Sequence, residues 1–139
     1  MSPAFIVDCS LAMTWVFIDE ATTETRQLFR RLATESALVP SHWFLEVSNV
    51  LVISERRKRI SVTESTQFLT LLDALQIEID NEALARAFDH ILPLARTHAL
   101  TTYDAAYLDL ALRRQLPLAS LDDDLRRAAM TLGVQVLGK

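Results

Sequence analysis

Hydrophobic positions in this chain follow two rhythms, short unbroken runs and longer three-and-four stripes, and the two alternate from end to end. Ala4 to Val7 is an apolar run closed by Asp8, the pattern of a strand buried on both faces. Ser10 is placed to cap a short helix carrying Leu11, Met13, Trp15 and Val16. A second helix is expected from about Thr22 to Thr34, with Leu28, Phe29 and Leu32 on one stripe. Ala37 to Val39 predicts a brief strand that Pro40 stops. From Trp43 to Arg59 the stripe is helical again, through Phe44, Val47, Val50, Leu51 and Ser54. Ser61 and Glu64 form a capping box that opens a helix to about Leu75. Ile77 to Ile79 predicts a strand, and Glu82 to about His98 a helix. Thr101 to Asp104 is a second capping box, opening a helix to Arg114. Leu116 to Ser120 reads as a strand, Asp122 opens a helix to about Leu132, and Val134 to Leu137 is the last strand.

This order predicts an α/β fold, a three-layer sandwich in which about seven helices flank a central, mostly parallel five-stranded sheet. The 139 residues show no internal repeat and no linker, so a single domain covering 1–139 is expected. Two glycines and four prolines in a half-hydrophobic chain exclude disorder.

Charge narrows the partners. A net charge of −4 argues against a protein that grips nucleic acid over its whole surface, but leaves room for a local basic strip. The bases are almost all arginine, with Lys58 and Lys139 the only lysines. A single cysteine, Cys9, cannot form an internal disulfide, which fits a reducing compartment. No basic start precedes the first apolar run, and no stretch reaches the length of a membrane span, so a cytoplasmic protein with no membrane partner is expected.

Four acids stand where strand or loop hands over to helix: Asp8, Glu46, Asp104 and Asp122. In a parallel sheet such points gather along one edge, where ligands bind. Carboxylates gathered there repel one another unless a hard cation joins them. Each acid also has a plain structural use. Asp8 can be a loop aspartate capping the next helix, although Ser10 is better placed for that, and Glu46 can complement a helix dipole, although its neighbours Trp43, Phe44, Leu45 and Val47 are apolar. For Asp104 the capping role and a functional one weigh about evenly. Asp122 fits a helix cap, yet Asp122, Asp123 and Asp124 together exceed what one cap requires.

The runs Ile6-Val7-Asp8-Cys9-Ser10, Glu46-Val47-Ser48-Asn49-Val50-Leu51, Tyr103-Asp104-Ala105-Ala106-Tyr107-Leu108 and Leu118-Ala119-Ser120-Leu121-Asp122 together resemble a PIN domain. More narrowly, the chain resembles VapC-type toxins of bacterial toxin–antitoxin pairs. The resemblance implies a PIN-like sandwich with metal-dependent ribonuclease activity, using Mg²⁺ or Mn²⁺. It places the catalytic acids at Asp8, Glu46, Asp104 and Asp122, with Asp8, Asp104 and Asp122 on the metal. Ser10 matches an auxiliary hydroxyl. Asp124 is open as an auxiliary that shares the work of Asp122, and Asp123 fits a capping position after Ser120. It further implies an RNA substrate, a cognate antitoxin that covers the acidic groove, and a homodimer in which Trp15 is an interface anchor.

The residues suit that chemistry by themselves. Oxygen-only ligands select Mg²⁺ or Mn²⁺ over zinc, and such ions activate water for in-line attack on phosphorus. The expected products carry 5′-phosphate and 3′-hydroxyl ends. Arg56, Arg57 and Arg59, with Lys58, close the third helix about 15 Å from Glu46, a distance that suits flanking phosphates, although cations at a helix C-terminus are ordinary. Cys9, Trp15 and Trp43 read as core residues, and His42, His90 and His98 as surface or loop residues without metal-ligand spacing. Two other readings stay open. One is a catalytically silent PIN-like binding or structural module. The other is a phosphate-handling, Mg²⁺-dependent α/β protein, disfavoured because Ser10 stands where a dehalogenase-type site wants a second aspartate.

Overall fold

Five parallel strands form the centre of the molecule, in the order β3-β2-β1-β4-β5. A computed structural model describes residues 2–139. The strands are β1 (Pro3–Val7), β2 (Ser36–Pro40), β3 (Ile77–Asp80), β4 (Leu118–Ala119) and β5 (Val136–Leu137). The helices are α1 (Cys9–Ala12), α2 (Thr23–Arg31), α3 (Trp43–Arg56), α4 (Val62–Ala74), α5 (Ala83–Arg86), α6 (Leu92–His98), α7 (Thr102–Arg114) and α8 (Asp123–Thr131). A π-helical turn, Ala87–Ile91, joins α5 to α6. Counted as one interrupted helix, that run makes the flanking helices seven, as the periodicity predicts.

The sheet is parallel at every pairing, with Ile6 beside Leu38 on one side and Leu118 on the other. Parallel strands are covered on both faces, which explains why β1 and β2 are continuous apolar runs with Phe5, Ile6, Val7, Ala37, Leu38 and Val39 at most 2% exposed. From β1 the chain builds outward to β2 and β3, then returns to place β4 on the opposite side of β1. The carboxyl ends of β1 and β4 therefore flank the point where strand order reverses, the natural ligand crevice of such a sheet.

The capping box of Ser61 and Glu64 is complete, each side chain bonded to the other's backbone N–H. That at Thr101 is only half made. The Thr101 hydroxyl accepts from the Asp104 N–H, and no bond returns from the Asp104 carboxylate. The first helix also differs from expectation. Its cap is Asp8, whose Oδ1 accepts from the Leu11 N–H at 2.9 Å, while Ser10 lies one residue inside and donates to Asp8 instead. Likewise the α8 cap is Asp122, not Asp123, which pairs with Lys139.

The expected helix from Glu82 to His98 is broken by its π turn. Pro93 explains the break: it has no N–H to give residue i−4, and its ring crowds that carbonyl. Helix α3 ends at Arg56, three residues early, because Lys58 takes a left-handed conformation at φ 59°. Arg59 then turns back to Asp19 and Glu20 and lies over the Phe17 ring, 3.8 Å from its centre. Trp43 is buried as expected. Trp15 is half-buried, with its ring against Phe29 and its N–H donated to the Thr25 carbonyl.

Candidate metal centre

Asp8, Glu46, Asp104 and Asp122 line one cavity of about 280 Å³, together with Cys9, Ser10, Met13, Val50 and Tyr107. Four segments distant in sequence supply the acids. Strand β1 ends at Asp8, the first turn of α3 carries Glu46, the first turn of α7 carries Asp104, and the loop after β4 ends at Asp122. The topology brings them together, since β1 and β4 are neighbours and α3 and α7 both begin at that edge of the sheet.

Asp8 is the most constrained of the four. It is 3% exposed, and its two oxygens accept from the Ser10 hydroxyl at 2.7 Å, the Leu11 N–H and the Ser120 hydroxyl at 2.5 Å. All these donors are neutral. Burial raises its pKa to about 6, against the lowering by those hydrogen bonds. Asp104 is also raised to about 6, first by burial and then by the negative charges of Asp122, Asp8, Glu46 and Asp124. Among the described residues no arginine or lysine forms an ion pair with Asp8, Glu46, Asp104 or Asp122. The cavity is a concentration of unmet negative charge.

Three residues that the sequence left in the background hold this site. Tyr107, 1% exposed, donates its hydroxyl to Glu46 at 2.5 Å, and burial together with Glu46 keeps that phenol protonated. Ser120 joins two acids, since its hydroxyl donates to Asp8 and accepts from the Asp122 N–H at 3.0 Å. His42 is no ordinary surface residue: its Nε2 lies 3.0 Å from the Tyr103 carbonyl and 3.5 Å from Glu46. Spacing held the signals. Tyr107 follows Asp104 by one helical turn, His42 precedes Glu46 by one, and Ser120 occupies the step between β4 and Asp122.

The remaining candidates lie outside the cavity. Asp124 points to Arg127 at 2.8 Å. Arg56 and Arg57 are exposed at the far end of α3, and Arg59 is held by Asp19 and Glu20. Cys9 lines the cavity, but burial and the neighbouring carboxylates push its thiol up to about 12, so it is unreactive there.

Among the described residues no set of three or more His, Cys, Asp or Glu side chains stands ready to hold a metal ion. The donor set nonetheless suits a hard divalent cation, being all oxygen and electrostatically unsatisfied. Mg²⁺ in particular keeps several waters and binds through one or two carboxylates, so a closed protein cage is not required.

A parallel α/β sheet with an acid-lined crevice at its switch point defines a class of ligand-binding α/β domain, and the comparisons give its family. The PIN domain model matches residues 5–130, so the chain belongs to the PIN domain family. PIN domains are generally nucleases and typically use divalent metal ions. The fold is similar to that in the crystal structure of PAE2754 from Pyrobaculum aerophilum. The TM-score is 0.71 at 20% identity, over 98% of this chain and 92% of that one, a likeness that speaks for the fold alone. No curated protein matches the chain. No helix among the described residues is long and apolar enough to cross a membrane.

Proposed function

We propose that the protein is a metal-dependent endoribonuclease, the toxin of a toxin–antitoxin pair. The observation that carries the nuclease reading is the meeting of four acids from four segments in one cavity without an arginine or lysine partner. A bound Mg²⁺ or Mn²⁺ supplies charge neutralisation at the phosphodiester and makes water a stronger nucleophile near neutral pH. Asp8, Asp104 and Asp122 would hold the ion, directly or through water. Glu46 accepts a proton from the attacking water and orients it, and Tyr107 fixes the Glu46 carboxylate by its hydrogen bond. Ser10 and Ser120 fix Asp8 with neutral donors, which leaves its negative charge available. Hydrolysis leaves 5′-phosphate and 3′-hydroxyl ends. Arg56 and Arg57 contact flanking phosphates, while Arg59 is committed to its acidic neighbours.

The toxin assignment rests on the resemblance to VapC-type chains, as do the cognate antitoxin, the homodimer and the cytoplasmic location. An antitoxin cation laid into the cavity would satisfy the same charge that the metal does. Sedimentation at micromolar concentration checks the dimer, for which a monomer is the contrary result.

A silent binding module is the second reading, and the lack of a ready three-ligand group among the described residues favours it. Cleavage of RNA by the purified protein, with Mg²⁺ or Mn²⁺ and then with excess chelator, decides between them. The nuclease reading expects cleavage that the chelator stops. Cleavage unaffected by chelator, or none with either metal, contradicts it.

A further inference from the structure

We propose that Tyr103 is the platform on which a nucleobase beside the cut phosphodiester stacks. This rests on the nuclease reading and extends it to a residue that positions the substrate.

The cavity cannot attract a nucleic acid by ion pairing. No lysine or arginine is among its lining residues, and the cations that follow Asp122 most closely in sequence are engaged elsewhere: Arg126 donates to the Ser120, Leu137 and Lys139 carbonyls, and Arg127 pairs with Asp124. Phosphates approaching the acids meet like charge, which the metal offsets only locally. Affinity close to the cut must come from another interaction, and stacking on an aromatic face is the sequence-tolerant one.

Tyr103 offers such a face beside the acids. It directly precedes Asp104 and is 64% exposed. The exposed ring is nonetheless well placed. Its residue sits in the first turn of α7, and its carbonyl faces His42 Nε2 at 3.0 Å. A carbonyl only accepts, so Nε2 carries the hydrogen and ties the start of α3 to the start of α7. The His42 ring lies 6.0 Å from the Tyr103 ring and meets the Tyr107 ring nearly edge-on at 5.1 Å. These three rings form a ladder from solvent to the cavity wall, where Tyr107 holds Glu46.

A base can reach this surface only when it is not stacked in a duplex.

The test uses a short single-stranded oligoribonucleotide carrying 2-aminopurine, whose fluorescence falls on stacking, with the full chain bearing Asp8→Asn to suppress cleavage. Expected are binding with quenching, about tenfold weaker binding without quenching when Tyr103→Ala is added, and binding within about twofold for Tyr103→Phe. A duplex of the same sequence binds more weakly. Equal binding by the alanine and tyrosine proteins overturns the proposal, and so does a phenylalanine variant as weak as the alanine one. Failure of the oligonucleotide to bind at all overturns it too. Cleavage by the wild-type protein, measured in parallel, reads the nuclease assignment alone. Cutting without dependence on Tyr103, or stacking without cutting, thus separates the two claims.

Discussion

Two groups of acids in this molecule are built from the same side chain and end in opposite states. Asp80 and Asp109 are each about as buried as Asp8, but arginines surround them. Arg113 reaches Asp80 at 3.0 Å and Asp109 at 3.2 Å, and Arg86 closes on Asp109 at 2.8 Å. Burial acts to raise both carboxyls, and the arginine hydrogen bonds overcome it, so both sit below the usual range. Asp8 has only neutral donors around it and Asp104 is surrounded by like charges, and burial with those charges raises both to about 6. The first group is a finished structural joint that ties β3, α5 and α7 together. The second carries charge that the chain itself does not satisfy, the mark of a place prepared for something else.

The sharpest way to separate the groups is to remove one charge from each. Asp8→Asn should lower RNA cleavage on the order of a hundredfold or more. Asparagine caps a helix as well as aspartate does, so metal-free stability at pH 7 should hold or rise by about 1–2 kcal/mol. A large loss of stability would place Asp8 with the structural acids. Arg113→Ala should do the reverse and cost about 3 kcal/mol in urea unfolding, because it strips the buried Asp80 of its close cation and leaves Asp109 with Arg86 alone. Stability unchanged by that substitution would remove the distinction from the other side.

The pH dependence follows with opposite signs. A carboxyl whose folded pKa is raised stabilises the fold in full below its ordinary 3.8, and that contribution is lost as pH rises through about 6. Asp80 and Asp109 contribute stability above 3.8 that is lost as pH falls through their lowered values. Metal-free protein should therefore lose stability between about pH 4 and pH 6, and the double variant Asp8→Asn, Asp104→Asn should flatten that loss. An unchanged slope in thermal melts would count against the raised values. The smallest effect expected is that of Tyr107→Phe, about 1 kcal/mol in stability with roughly a tenfold drop in cleavage. Unaltered cleavage would leave Tyr107 a core residue only.

Much of this was legible in the sequence because strands buried on both faces and capped helices leave local patterns. The runs at Ala4–Val7 and Ala37–Val39, and the Ser61–Glu64 box, needed no tertiary information. The four acids could be named as a group because each follows a change of rhythm. What escaped depends on neighbours distant along the chain. The roles of Ser120, Tyr107 and His42 come from partners 61 to 112 residues away. The engagement of Arg59 is also long-range, since its acids lie on the loop before α2. Two misreadings were local competitions instead. Asp8 displaced Ser10 as the α1 cap because its carboxylate reaches the Leu11 N–H, and Pro93 imposed the π turn on an otherwise helical stripe.

The central claim is that the unsatisfied acids take up a divalent cation. Titration calorimetry with Mn²⁺ on wild type, on Asp8→Asn and on Asp80→Asn tests it most directly. Saturable binding by wild type and by Asp80→Asn, and its loss in Asp8→Asn, is the predicted result. Binding that survives Asp8→Asn, or no binding by the wild-type chain, would contradict it.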